Sequence, residues 1–448
     1  MTAMEGRRAL SRFNDVSTYV IRRAPVMRKG ALAILDQFLI SGSNFAVGIL
    51  LARWLSGDQY GTYALTFSIF LLCSQIHQAL LLEPQSVLGP AEFSSHLKRY
   101  LGALLWLCVG STVGVAAVLV IVAQAVEVVS HASALSRALA GIGGAAPAIL
   151  LFWLLRGACY VRLASGTALL GSSIYCVALV LSFTVLRVAH TISPLSAYLA
   201  MGVAALSASV FLLWRLKPTM RRSSAIDMSS VAKQHWKYGR WALASTLVTW
   251  LPWNVYYSVL AHYQTMERVG EYRAMMNLFL PLGQMLGALS LLAHPIVAGK
   301  RQGKGETGVL SQGREITAIY GAGSAFYWLL VIGLRRPLFS LLYGGHFQSV
   351  VDVLPWLAVA SLFWFAGFAP PIALRAVQSP ASVFLLYGAA SIVTLTVGVP
   401  ATKVFGLRGV VAGTLLASVT ALLAGLVLIH VKMKTIATDG TVTVPVLN

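Results

Sequence analysis

The chain predicts an all-α integral membrane protein, with about twelve transmembrane helices in two pseudo-symmetric six-helix bundles and both termini on the cytosolic side. Three observations carry this. Of 448 residues, 57% are hydrophobic and 11% charged, with a mean hydropathy of +0.76, more apolar surface than a soluble core of this length hides. The apolar runs are ~20 residues long, enough to cross a bilayer as helices and unlike the short alternating strands of a barrel. An ungapped repeat relates the two halves: Leu51-Ala52-Arg53-Trp54-Leu55-Ser56-Gly57-Asp58-Gln59-Tyr60-Gly61-Thr62-Tyr63 returns as Leu260-Ala261-His262-Tyr263-Gln264-Thr265-Met266-Glu267-Arg268-Val269-Gly270-Glu271-Tyr272. Two-fold construction of this kind builds a central site between halves.

The elements follow in order. Residues 1–30 form a basic cytosolic segment without the short apolar core and cleavage site of a secretory signal. Within the N-terminal bundle, 31–214, the predicted spans are 31–52, 62–83, 101–125, 139–155, 163–186 and 195–214. A linker rich in Arg, Lys and Ser, 215–240, separates it from the C-terminal bundle, 241–431. The spans there are 241–261, 273–295, 315–334, 352–374, 381–402 and 409–431. Gly-rich 299–306 reads as a flexible connection and lacks the spacing of a nucleotide-binding loop. The tail 432–448 is cytosolic and expected to be disordered after Lys434. Of the 34 basic residues, 25 fall on the side of the termini and nine on the other, which orients the chain N-in and C-in. The net charge of +20 is therefore a topology signal beside anionic lipids, and no nucleic-acid partner is implied. Cys73, Cys108, Cys159 and Cys176 suit neither zinc nor a disulfide framework.

Prolines mark breaks. Glu83-Pro84 closes the second span as Pro295 closes the eighth, Pro252 sits in Trp250-Leu251-Pro252-Trp253-Asn254, and Pro370-Pro371 lie in the tenth. Each frees a backbone carbonyl that protein or a wet cavity must satisfy. Hinges and static kinks are both consistent with that.

Two six-span halves with an Ala-Arg-x-Leu…Tyr-Gly-x-Tyr motif after the first span resemble the multidrug/oligosaccharidyl-lipid/polysaccharide (MOP) flippase superfamily. The chain is most similar to the polysaccharide branch, the Wzx-type flippases of O-antigen and exopolysaccharide biosynthesis. The residues that carry the likeness are Asp36-Gln37, Ser41 to Phe45, Leu51 to Leu55, Tyr60 to Tyr63 and Glu83-Pro84. The motif covers roughly 36–90, and the second copy departs from it with His262 opposite Arg53. The resemblance implies a multi-pass transporter of the bacterial inner (cytoplasmic) membrane, two bundles in a V, moving a lipid-linked oligosaccharide outward by alternating access. A polysaccharide polymerase and export machinery are the implied partners, and no cofactor is required.

Ionisable groups inside spans are functional candidates by default. Asp36, Gln37, Ser41, Ser43 and Asn44 fall on one stripe of the first span. Asp36 is either a structural ion pair with Arg156 or Arg375, or a coupling-ion site. Ser68, Gln75 and Gln78 share a face of the second span, Glu83 ends it, and His77 points the other way, as a packing residue or a proton relay. Thr246, Trp250, Asn254 and Tyr257 form a stripe on the seventh span, and Asn277 and Gln284 on the eighth. Rings that stack on sugar faces and amides that bind hydroxyls suit an oligosaccharide, and an interfacial aromatic belt is the alternative. Arg156, Arg162 and Arg375 near cytosolic span ends, with Arg53 and Arg273 on the outer side, are candidates for a pyrophosphate.

Two other classes compete. A drug/cation antiporter should bury several carboxylates, whereas Asp36 and Glu83 are nearly the only ones inside spans. A membrane polymerase or ligase acting on lipid-linked sugars needs acids or bases on a sizeable outer loop. The outer loops here are short, so the chain is not expected to be an enzyme.

Overall fold

A computed structural model of the chain describes residues 2–220, 227–377 and 380–439; the side chains of residues 2–27, 291–296, 298–306 and 436–439, and of a few isolated positions, lie outside that description. The described residues are helical throughout, with no β-strand among them. The order is α1 (Thr2–Trp54), α2 (Gly57–His77), a π-helical turn π1 (Gln78–Leu82), α3 (Glu83–Ala91), α4 (Leu97–Ser130), α5 (Ser133–Val161), α6 (Ser165–Val188) and α7 (Pro194–Leu216). After the linker come α8 (Met228–Tyr263), α9 (Met266–Asn277), α10 (Phe279–Gly333), α11 (Arg335–Tyr343), α12 (Leu354–Ala366), α13 (Ala369–Ala376) and α14 (Pro380–Val393). A second π turn, π2 (Thr394–Gly398), α15 (Val399–Phe405) and α16 (Leu407–Asp439) complete the chain.

Ten segments among the described residues are long and apolar enough to cross a bilayer, and each coincides with one predicted span. The other two predicted spans fall in α8 and in α9 with the start of α10. In the seventh, Trp, Tyr, Pro and Asn dilute the apolar run, and the eighth extends into residues whose side chains lie outside the description. α10 contains two predicted spans. A straight helix of its 55 residues would run about 80 Å, but the helix doubles back. Ser290 Oγ meets Tyr320 Oη at 3.0 Å, and Phe279 packs edge-on against Trp328 at 5.0 Å. The two limbs are therefore antiparallel. The side chains of 299–306, the Gly-rich connection, lie outside the described residues. At the C-terminus α16 runs helical to Asp439, past the predicted onset of disorder at Lys434, and 440–448 lie outside the described residues. The linker is shorter than expected. α8 starts at Met228, capped by the Asp227 carboxylate on the Ser229 and Ser230 amides.

The repeat has a structural counterpart. Ser56 and Thr265 occupy equivalent positions and cap α2 and α9, accepting the Gln59 and Arg268 amides. The two helices then cross at their N-terminal ends. A methyl group on Gly61 would overlap the Met266 carbonyl, and one on Gly270 would come within 2.8 Å of the Gly57 carbonyl oxygen. Gly57 pairs with Met266 in the repeat and Gly61 with Gly270, so the contact is two-fold in character. Small residues one helical turn apart permit this approach. We call this the motif end of the molecule and the opposite end, where 217–220 and 227–228 lie, the linker end.

The proline breaks take two forms. α12 and α13 are separated at Gly367–Phe368, directly before Pro370-Pro371. α8 runs on through Pro252, and the carbonyl of Val248, four residues earlier, accepts the Ser391 hydroxyl of α14 at 2.7 Å. Likewise Pro84 frees Leu80, whose carbonyl takes His235 Nδ1 at 3.0 Å. A carbonyl only accepts, so Nδ1 carries the proton and Nε2 accepts from Tyr100 Oη at 2.7 Å. His235 precedes the predicted span, and burial pushes its imidazole below the ordinary range.

Candidate functional site

A cavity of about 830 Å³ lies between α1, α2, π1, α3 and α5 on one side and the α9–α10 junction on the other. Its wall on α1 is Gln37, Ile40, Ser41, Asn44 and Val47, spaced three or four residues apart, so one helical face supplies them. On α5 the same spacing brings Trp153, Arg156, Gly157 and Tyr160 inward. The cavity starts beneath Tyr63 and Arg273 near the motif end, which the α2–α9 crossing seals. It reaches Glu83, Ser86 and Pro90 toward the linker end.

Asp36 anchors the polar wall from behind. Its carboxylate is fully buried and pairs with Arg156 through Nε at 2.8 Å and Nη2 at 2.6 Å. The Tyr160 hydroxyl donates to the same oxygen. Arg156 also donates to Gln37 Oε1 at 2.9 Å. The Gln37 amide in turn reaches Ser41 Oγ at 3.1 Å and, across the halves, Gln284 Oε1 at 3.3 Å. A chain of contacts therefore runs from a buried acid on α1 through α5 to α10. The structural ion pair with Arg156 is the contact formed; Arg375 does not approach Asp36.

Arg273 is the second cation. It is 8% exposed, lies over the Phe67 ring at 5.1 Å and interacts with the Tyr257 hydroxyl. Its Nε has no acceptor, and among the described residues no carboxylate is within ion-pair distance of it. Glu271, two residues away, is occupied by Arg268 and Ser349. A buried guanidinium without a counter-charge is costly and gives this end of the cavity a positive field.

Beside the cavity, between α1 and the first limb of α10, lies an apolar cleft of about 650 Å³. Ile34, Phe38, Phe45, Leu280, Pro281 and Met285 line it, and Gln37, Ser41 and Gln284 border both spaces. Ile34 and Phe38 on its edge are largely exposed.

Of the candidates from sequence, Gln37, Ser41, Asn44, Gln78, Glu83, Arg156, Arg273 and Gln284 line the cavity. The others do not. Gln75 is half-buried away from the lining. Asn254 bonds back to the Trp250 carbonyl at 2.9 Å, and Trp250 Nε1 is buried without an acceptor. Tyr257 packs against the Tyr272 ring at 4.9 Å, and no member of the α8 stripe is in the cavity lining. Asn277 is fully buried and donates to Tyr60 Oη at 2.9 Å, joining the halves at the motif end. Arg375 is exposed and sits where it acts electrostatically on Glu83. His77 faces a separate recess of about 200 Å³ with Cys73 and His235, and neither ring nitrogen has a partner. Sequence reasoning missed Tyr160, Gln85 and Trp153. The Arg156–Tyr160 spacing of one helical turn is the signal that would have found Tyr160.

Comparison with known proteins gives fold relatives only. No protein-family model matches the sequence, and no curated protein does. Among solved structures, an inward-facing multidrug-resistance MATE family transporter of the MOP superfamily superposes with a TM-score of 0.70 at 14% identity, covering 92% of this chain and all of that one. The outward-facing conformation of such a transporter gives 0.66 at 12%, covering 92% and 96%. A MOP superfamily transporter from Pyrococcus furiosus, whose reversed binding-pocket polarity suggests a different function, gives 0.66 at 12% over the same shares. The fold is that of MOP transporters.

Proposed function

We propose that the chain is a membrane transporter working by alternating access, and that its cargo is a lipid-linked oligosaccharide carried on a pyrophosphate. One observation carries the reading: a polar cavity holding Arg156 and Arg273 shares its Gln37, Ser41 and Gln284 border with an apolar cleft between α1 and α10. An amphipathic cargo fits that pair of spaces, its phosphates and sugars in the cavity and its isoprenoid chain in the cleft. Arginine suits phosphate oxygens through paired hydrogen bonds. The excess of basic residues at the linker end, toward which the cavity extends, supports reading that end as cytosolic, where such a lipid is assembled.

The polarity speaks against an organic cation. Asp36, behind the cavity wall, is engaged by Arg156 and Tyr160, Glu83 stands only at the mouth, and Arg273 repels a positive guest. A fold relative in which pocket polarity is reversed offers a precedent for reading cargo from pocket charge. Asp36 is the proposed coupling site, because its protonation would release Arg156 to the incoming phosphate. His77 and Glu83 rank behind it, one facing away from the cavity and the other at its mouth. The drug antiporter is the second reading, favoured by the MATE neighbours.

The test is the lipid-linked sugar pool of a deletion strain, sized and probed with an impermeant reagent. The reading requires a complete oligosaccharide to accumulate on the cytosolic leaflet, cleared by the wild type and not by Asp36→Ala or Arg273→Gln. A normal pool with raised sensitivity to cationic dyes would transfer the case to the antiporter. Accumulation on the outer leaflet would point to a polymerase or ligase.

A further inference from the structure

At the linker end, away from the central cavity, the chain builds a second polar concavity of about 570 Å³. It is walled by Ser94, Ser95 and His96 of the short turn before α4, by Lys98 and Arg99 in the first turn of α4, by Arg162 after α5, and by Thr219 at the start of the linker. Three permanent cations converge there, and no Asp or Glu lines it.

The local backbone explains why they meet. Leu163 and Lys217 both adopt left-handed conformations, with φ of 54° and 46°, which end α5 and α7 sharply and turn the chain back under the bundle. Arg162 is held by one hydrogen bond, Nη1 to the Leu216 carbonyl at 2.9 Å. Its Nη2 is buried and has no acceptor, and burial holds its basicity below the usual arginine value. α4 is 34 residues long, and its capping residue, His96, offers no side-chain cap to the first amides. The Ser95 hydroxyl is spent on His96 Nδ1 at 2.7 Å. The Arg162 side chain, the positive end of a long helix and two further cations thus surround one space whose lining holds no acid.

We propose that this concavity binds a phosphate group, either the phosphodiester headgroup of an anionic lipid or a free phosphate from the cytosol. The shape and charge suit a tetrahedral oxyanion seated between the Arg162 side chain on one side and the first turn of α4 with Lys98 on the other. Occupancy has a mechanical consequence. The Thr219 amide donates to the Lys98 carbonyl at 3.0 Å, and α4 approaches the Thr219 carbonyl so closely that a methyl group on Gly102 would overlap it. A phosphate bridging Arg162 and α4 therefore pins the first residues of the linker to the N-terminal half. The linker is the covalent connection between the halves, so the site bears on how freely one half moves against the other.

The test is thermal unfolding of the purified full chain in neutral detergent, titrated at constant ionic strength with phosphatidylglycerol, phosphatidylcholine or sodium phosphate. A saturable rise in the unfolding midpoint is expected with phosphatidylglycerol and not with phosphatidylcholine. If inorganic phosphate gives the same rise, the site accepts soluble phosphate; if it does not, the ligand is the lipid headgroup. In both cases Lys98→Gln and Arg162→Lys should each raise the half-saturating concentration roughly tenfold, as loss of one charge-assisted hydrogen bond does. Lys98→Gln leaves the Arg162–Leu216 anchor in place, so its effect is separable from misfolding. The paired control, Lys233→Gln with Lys237→Gln on exposed α8 positions, should leave the titration unchanged. No saturable rise with either phosphate probe, or an equal weakening in the control, would overturn the site.

Discussion

At the scale of the residue, the Asp36–Arg156 pair is asymmetric. Asp36 is sealed from solvent while the Arg156 side chain is 16% exposed and faces the cavity. Removing one partner of a buried pair leaves the other uncompensated, at about 3–5 kcal/mol. Arg156→Gln strands the buried carboxylate with only Tyr160 and should sit at the upper end of that range. Asp36→Asn leaves a guanidinium that still has Gln37 and cavity water, and should cost clearly less. Chemical denaturation of the two variants and their double mutant measures the order. Equal costs would mean that Arg156 gains nothing from the cavity. The chemical identity of Asp36 as a candidate was legible in the sequence, because a carboxylate in a membrane span is rare. Its choice of Arg156 over Arg375 was not, because both lie near the same ends of their spans and only the packing of α5 against the N-terminal half brings one within reach.

At the scale of the element, proline positions are visible in the sequence and their consequences are not. Pro252 leaves α8 unbroken because Ser391 of α14 supplies the missing donor to Val248, whereas Pro370-Pro371 follow a true break. Ser391→Ala should cost about 1–3 kcal/mol, the desolvation of an unmet buried carbonyl. In a Pro252→Ala background the helix regains its own amide for Val248, and the same substitution should cost markedly less. Unfolding free energies for the double-mutant cycle decide this, and additivity would show that the hydroxyl does something else. The stripe on α8 teaches the converse lesson. Trp250, Asn254 and Tyr257 share a helical face, as the periodicity indicated, but none of them lines the cavity, and Tyr257 packs on Tyr272 instead. A polar or aromatic face shows that something must cover it and does not say whether the cover is protein or cargo.

At the scale of the whole molecule, the proposed transport cycle assigns the sealed motif end and the cavity reaching toward the linker end to one of its two states. The Gly61–Met266 and Gly270–Gly57 contacts are the seal. Gly57 also lies against Glu267, so closely that a methyl group on it would stand 2.9 Å from the Glu267 Cγ. In a background with the four native cysteines replaced, Gly57→Cys with Glu267→Cys should cross-link on oxidation and stop transport, with recovery on reduction. Transport that continues at full rate in the cross-linked protein would show that the motif end does not open. Gly61→Ala forces backbone against backbone and should lower the unfolding midpoint, while Gly110→Ala, which meets nothing within 4 Å, serves as its control.

The sequence by itself determined the class: a helical membrane protein, ten of its predicted spans and the positions where polar groups enter them. These follow from local composition and from a repeat that survives in the chain, and the bilayer's thickness converts them directly into elements. Only the tertiary structure decided which polar faces meet. It gave Asp36 to Arg156, left Arg273 without a counter-charge among the described residues, and turned His77 and the α8 stripe away from the cavity. Each of those outcomes depends on rotation of one helix about its axis relative to another, which a hydrophobic run in lipid leaves free and packing between helices fixes.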